Sequence, residues 1–396
     1  MLALAALAAP LLAAPAAGPK GAAAGASWDQ FTQMFDRTVD GDHIVGAGVI
    51  LVRDGRIVAH HAHGFADRDR GLPITPQSIY HYGSITKTLT AISIMQLRDR
   101  GRLTLDDPIT KYVPELRQVH DPFGSMDAIT LRMLLSHSAG FQDPTWPYKQ
   151  GKPWEPFEPT TWNQLVAMMP YQEIAFPPGS RFSYSNPAFI YLARVIEQLT
   201  GDPWESYVQK NIFSPLGMTH SYFRATPYYL AADRSHNYTR VQGASGGEVV
   251  RDNGADFDPG ITLPNGGWNA PLGDLALYMA FLTDATQGDA AKARLYGTVL
   301  AHSTLMEMWR PLYRIKQDGS AVDADAVGLS FFSVNRDGTT FVGHTGSQAG
   351  FRAFMFFNPG TGAGVVAAFN TDSELPSGDE SATVQRIRDR ALELIR

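Results

Sequence analysis

The pattern of apolar and polar positions divides the chain into three stretches. Near the N-terminus, 48–53 and 56–60 are short runs rich in Val and Ile on either side of Asp54-Gly55. Two such runs around Asp-Gly predict a β-hairpin, because both turn residues of the favoured turn need positive φ. Toward the C-terminus, 327–334, 340–344, 351–357 and 364–369 read as further strands, broken by Arg336-Asp337-Gly338 and by Asn358-Pro359-Gly360-Thr361-Gly362. The middle follows the helical period instead. There 84–98, 130–136, 162–169, 187–199, 203–212 and 272–282 each suit a helix, joined by long connections rich in Pro and Gly. A helical stretch at 28–39 precedes the first strand, and another at 380–395 closes the chain.

Strands at both ends and helices between them predict an α+β fold: an antiparallel sheet assembled from both termini, flanked by helices, with a mainly helical region inserted. The expected division is 1–17 as a signal peptide, 18–27 as a linker, 28–80 together with 318–396 as the sheet region, and 81–317 as the mainly helical region. The first fourteen residues, MLALAALAAPLLAA, are apolar but too few to span a bilayer, and Ala14-Pro15-Ala16-Ala17 offers the small residues of a cleavage site. The expectation is export, periplasmic or extracellular, with no stable membrane span, although no Lys or Arg precedes the run. The next ten residues, GPKGAAAGAS, have the composition of a flexible linker.

Composition narrows the chemistry. With 396 residues, 44% of them apolar, the chain can bury a large core. A net charge of −6 leaves no basic excess to offset phosphates, which excludes nucleic acid as the partner. The absence of cysteine removes a thiol nucleophile, a Cys-based zinc site and any disulfide. Of His60, His61 and His63, only His61 and His63 share a strand face, and nothing at ligand spacing completes a site, so no metal or other cofactor is expected. Gly243-Ala244-Ser245-Gly246-Gly247 has the Gly-x-Ser-x-Gly form of another hydrolase class. That motif needs a helix directly behind it, and none follows here, so it reads as a glycine-rich surface turn. Phe141 to Trp162 hold six aromatic residues among five prolines, which suits either a rigid loop packed on itself or a lid over a site. Nothing in the sequence speaks to oligomeric state.

Three short patterns remain, each with a chemical and a structural reading. In Gly83-Ser84-Ile85-Thr86-Lys87, positions i and i+3 share a helix face, so Ser84 and Lys87 stand side by side at a helix N-terminus. Serine is a weak nucleophile without a base beside it, and a perturbed lysine can be that base; the alternative is that Ser84 merely caps the helix. In Ser183-Tyr184-Ser185-Asn186-Pro187, a phenol near an ammonium can carry a proton and Asn186 can donate to a substrate carbonyl. The alternative there is a packed Tyr ring and an Asn that caps the next helix. In Gly343-His344-Thr345-Gly346-Ser347, Gly346 lets backbone approach closely, and N–H groups of this segment can join the Ser84 N–H in an oxyanion hole. His344 or Thr345 can meet a substrate carboxylate or carbonyl, and the alternative is an ordinary strand end. Each pattern occurs once, in this order, with long spacings.

Together they resemble the penicillin-recognising serine hydrolases: class C β-lactamases, DD-carboxypeptidases, D-aminopeptidases and related esterases. The likeness runs from about Gly48 to Phe369 and takes in Leu134-Leu135-Ser136-His137-Ser138-Ala139-Gly140, Phe176-Pro177-Pro178-Gly179 and Ile212-Phe213-Ser214-Pro215-Leu216-Gly217-Met218. The resemblance implies a β-lactamase/DD-peptidase-like fold with Ser84 as nucleophile and Lys87 with Tyr184 as base and acid. It also implies that Asn186 holds the substrate amide or the lysine, and that the Ser84 and Ser347 N–H groups form the oxyanion hole. One departure stands out. The β-lactamases of this group usually carry Lys where this chain has His344, and a histidine binds a carboxylate less firmly. The expected activity is therefore hydrolysis, through an acyl-enzyme, of amide bonds in D-amino-acid-containing peptides, of carboxypeptidase or aminopeptidase type. The substrate is a small molecule or a peptide. The alternatives are a carboxylesterase with the same residues, a weak β-lactamase and a non-catalytic peptidoglycan-binding relative.

Overall fold

Asp54 and Gly55 both take positive φ, 50° and 67°, and fold β1 (Gly46–Arg53) back on β2 (Arg56–Asp67). The computed structural model, which describes residues 22–141, 159–315, 323–375 and 380–396, extends this hairpin into a nine-stranded sheet. β3 (Leu72–Pro73) lies outside β2. Two smaller sheets come from the middle of the chain: β4 (Ile79–His81) with β7 (Asn269–Pro271), and the hairpin β5 (Tyr238–Gln242) with β6 (Glu248–Asp252). The residues at 243–247 are the turn of that second hairpin. The C-terminal part then supplies β8 (Tyr313–Arg314), β9 (Ala326–Val327), β10 (Phe332–Arg336), β11 (Thr339–Gln348), β12 (Phe351–Phe357) and β13 (Gly364–Phe369), while β14 (Thr371–Ser373) joins β5. The main sheet runs β3-β2-β1-β13-β12-β11-β10-β9-β8, antiparallel at every step. The first and last parts of the chain therefore meet where β1 pairs with β13, Val49 opposite Ala367.

The central strands are buried on both faces, which is why they read as unbroken apolar runs rather than alternating ones. Alternation splits them between two cores. Val49, Leu51, Ala367, Phe369, Phe354 and Phe356 pack under α1 (Ala22–Gly41) and α12 (Glu380–Glu393), against Phe31, Phe35, Ile387 and Leu392. Each such buried Phe or Leu contributes roughly 1.5–3 kcal/mol. Ile50, Val52, Val366, Ala368 and Met355 face the other way, into the larger core built around α2 (Thr86–Asp99). That core also holds residues of α3 (Leu131–Leu135), α4 (Trp162–Met168), α5 (Asn186–Thr200), α6 (Trp204–Val208), α7 (Ser214–Leu216), α8 (Leu263–Gly266), α9 (Leu272–Leu282), α10 (Ala290–Val299) and α11 (His302–Trp309).

Several boundaries differ from the sequence reading. α1 starts at Ala22, inside the expected linker, because an alanine-rich segment has the highest helix propensity of any composition. The run at 327–334 is two strands rather than one. Ser330 takes φ 71° and Gly328 N–H bonds the Phe331 carbonyl, so the chain reverses between β9 and β10. α10 and α11 had no expected counterpart. The signal-peptide stretch 1–17, and most of the aromatic loop at 141–162, lie outside the described residues.

Candidate active site

Ser84 is the one residue of 79–97 that is not buried. β4 leads into a 3₁₀ turn, Gly83–Ile85, and the turn runs directly into α2. Neither element has a side-chain cap, so Ser84 is not spent on capping. Helical spacing brings Lys87 back beneath it: Nζ donates to Ser84 Oγ at 2.9 Å. The same ammonium donates to Asn186 Oδ1 at 2.6 Å and to the Asn265 carbonyl at 2.9 Å, and the lysine is 0% exposed. A buried ammonium is costly unless its three donors find acceptors, and here all three do. The other polar side chains of the helix are also matched. Thr90 bonds the Pro264 carbonyl, Ser93 the Leu89 carbonyl, and Gln96 the carbonyls of Asn211 and Val299.

Asn186 opens α5, but the cap is its neighbour. Ser185 Oγ accepts the Ala188 N–H at 3.3 Å, which leaves the Asn186 amide for Lys87 and for Asn265 Nδ2, 3.3 Å away. Tyr184 precedes them, and the Lys87 ammonium stands 5.0 Å from its ring centroid. His137 fixes that tyrosine. The His137 carbonyl accepts the Ser183 N–H at 2.8 Å, its Nδ1 accepts the Ser185 N–H at 3.0 Å, and its ring stacks on Tyr184 with centroids 4.5 Å apart. The sequence reading counted His137 only within a structural signature, and missed Asn265 altogether.

β11 forms the facing wall. A Cβ on Gly346 would lie 1.9 Å from the Tyr82 carbonyl oxygen and 3.2 Å from the Ser84 nitrogen, and one on Gly83 would lie 2.7 Å from the Ser347 nitrogen. The strand and the serine turn thus touch backbone to backbone, which only glycine permits. This contact brings the Ser84 and Ser347 main chains side by side. Thr345 and Ser347 are exposed, and Ser347 Oγ donates to Asp372 at 3.3 Å. His344, on the other face of the strand, is buried at 2% exposure. Burial, and then the Lys87 charge, push its imidazole down to about 3. Burial, Lys87 and His344 together hold His137 well below the ordinary histidine value. Burial and the lysine charge thus favour the neutral form of both histidines beside Lys87. Behind the strand, His81 bridges the amides of Asn269 (2.9 Å) and Gln348 (3.1 Å), tying the end of β11 to the segment that carries Asn265.

The histidines at 60–63 serve elsewhere. His61 Nε2 bonds Asp36 at 2.6 Å and His63 Nε2 bonds Asp40 at 2.7 Å, which fastens α1 to β2.

A family model described as Beta-lactamase matches residues 31–389. Protein flp of Staphylococcus aureus is 24% identical over 348 residues, 88% of this chain and 64% of the relative, so the chain spans less than two thirds of that relative's length. Among solved structures, the octameric penicillin-binding protein homologue from Pyrococcus abyssi superposes with a TM-score of 0.73 at 25% identity, over 93% of this chain and 77% of the other. The D-stereospecific amidohydrolase from Streptomyces sp. superposes with a TM-score of 0.68 at 25% identity, over 90% and 97%.

Proposed function

The chain belongs to the β-lactamase family of serine hydrolases, and from that premise we propose that it works through a covalent acyl-enzyme on amide bonds beside a D-amino acid. Ser84 Oγ attacks the carbonyl carbon as its proton passes to Lys87 Nζ, 2.9 Å away, which enters this step as the neutral amine and leaves it as the ammonium. The oxyanion that forms is met by the N–H groups of Ser84 and Ser347. As the C–N bond breaks, Tyr184 relays a proton to the leaving amine. A water then attacks the acyl ester, gives up its proton to the same relay, and frees Ser84. Asn186 and Asn265 keep the Lys87 amine aimed at the serine throughout, and His137 keeps Tyr184 beside it.

The observation that carries this reading is the hydrogen bond between the sealed lysine and the one accessible residue of its segment, with the tyrosine ring 5.0 Å from the amine. The likeness to an enzyme described as a D-stereospecific amidohydrolase supports the substrate class. A fluorophosphonate should add one adduct at Ser84 by intact mass, and Ser84→Ala should remove both adduct and turnover. A Ser84→Ala protein that still hydrolyses its substrate sinks the mechanism. Turnover of D-Ala-D-Ala peptides, D-amino-acid amides, short-chain aryl esters and a β-lactam separates peptidase or amidase from esterase and β-lactamase. Loss of labelling altogether favours a binding protein. The apolar N-terminal run adds export to the proposal, and N-terminal sequencing of protein released by expressing cells should find the first residues removed.

A further inference from the structure

The two ends of the main sheet are finished differently. One edge is β8, only two residues long. The other is β2, twelve residues long, and β3 pairs only with its Phe65 and Asp67. Among the described residues no strand lies outside 56–63. An edge of that length offers main-chain N–H and C=O groups to another strand, and this one holds neither proline nor lysine to deter it. Its side chains also invite cover. A bulge leaves Val58 without an opposite residue, since Val52 pairs with Ile57 and Leu51 with Ala59. Ile57 is 37% exposed and Val58 54%. Across the bulge, Arg56, Ala59, His61 and His63 share the α1 face of the sheet. The two ends of that row are opposite in charge. Arg56 is exposed and has no ion pair or hydrogen bond through its guanidinium among the described residues, while Arg53 beside it donates to the Leu394 carbonyl. His63 sits between Asp40, 2.7 Å away and 69% exposed, and Asp36, 3.3 Å away.

We propose that the β2 edge is a self-association surface, and that its occupant is the β2 edge of a second copy of this chain, antiparallel about a two-fold axis at His60. That register sets Ala59 opposite His61 of the second copy and the bulged pair Ile57-Val58 opposite Ala62. It also sets Arg56 against the His63 end, where Asp40 and Asp36 wait, and the two-fold axis repeats each contact. A row with a basic end and an acidic end is complementary to itself only when reversed, which is why the pairing is antiparallel. Association joins the two sheets into one and covers both long edges, so it stops at two copies. Ser84 lies against β11, four strands from β2 and roughly 19 Å across the sheet, so both sites stay free.

Sedimentation equilibrium of the full chain, from about 1 to about 100 µM, is the first test. The mass should rise toward that of two copies and no further. A mass that stays at one copy throughout, or that grows without limit, overturns the proposal. Two charge reversals then test the register. Arg56→Glu sets like charges against each other twice in its own dimer, and so does Asp40→Lys, so each alone should weaken association about tenfold or more. Mixed one to one, the two variants should pair with each other, because every contact is then between opposite charges. A mixture no more associated than its parts, with thermal midpoints showing both proteins folded, overturns the proposal. If either variant fails to fold, amide exchange in the native protein decides. Protection of 57–63 should be greater at 100 µM than at 1 µM, and equal protection overturns the pairing. None of these readouts depends on the chemistry at Ser84, so the acyl-enzyme reading stands or falls separately.

Discussion

Lys87 and Arg388 are both buried, on opposite sides of the sheet, and their partners differ in kind. Arg388, on α12, is 3% exposed, stands over the Phe356 ring and is answered by the carboxylates of Asp323 and Asp389. Lys87, on α2, is 0% exposed, and its ammonium bonds a hydroxyl, an amide oxygen and a main-chain carbonyl. Carboxylates are what stability asks of a buried charge, since they offset the lost hydration. Neutral oxygens aim an amine without locking its charge, which is what a proton carrier needs. Burial alone thus does not mark a functional cation. In the proposed mechanism it is the chemistry of the partners that sets Lys87 apart from Arg388.

The contrast can be broken at its strong end first. Lys87→Ala should lower kcat/KM by roughly 10³-fold or more, within the span of acid–base and nucleophile activation, while the thermal midpoint moves little. Activity within tenfold of native would end the comparison. Arg388→Met should do the reverse: about 2–3 kcal/mol lost in denaturant unfolding, with kcat per folded molecule unchanged. An equal loss of activity would mean that the two layers are not separable.

Acid sharpens the picture of the charge-poor side. His344 and His81 are held by burial at about 3 and about 4, below their ordinary 6.5. The unfolded chain therefore binds more protons than the native one between those values, so stability is full above pH 6.5 and falls as the pH drops toward 4. Each histidine should contribute a slope of about 1.4 kcal/mol per pH unit in that window, and His344→Gln should flatten it in urea titrations. The smallest effect belongs to Ser245→Ala in the β5–β6 turn, which should stay within about 0.5 kcal/mol and leave turnover intact.

Much of this was legible in the chain. The pairing of Ser84 with Lys87 follows from helical spacing, and both Asp-Gly hairpins from turn chemistry. The central strands are apolar enough to be read directly. What escaped was set by contacts distant in sequence. His137 matters because it grips residues 183–185, and nothing local announces that. The lowered imidazole of His344 follows from burial beside Phe332 and from the Lys87 charge, and neither is visible in the strand's own sequence. Asn265 acts through its carbonyl, which every residue has. The reversal between β9 and β10 escaped because positive φ at a serine leaves no sequence signature.

α1 and α12 lie together on the sheet face that points away from Ser84, with Thr383 and Arg386 both bonded to Asp42. Whatever is joined to either helix therefore hangs from the rear of the molecule. A tether, a fluorescent reporter or a solid support attached there leaves the mouth of the site open to the medium. The geometry suits immobilisation in a flow reactor, where the sheet itself stands between the anchor and the chemistry.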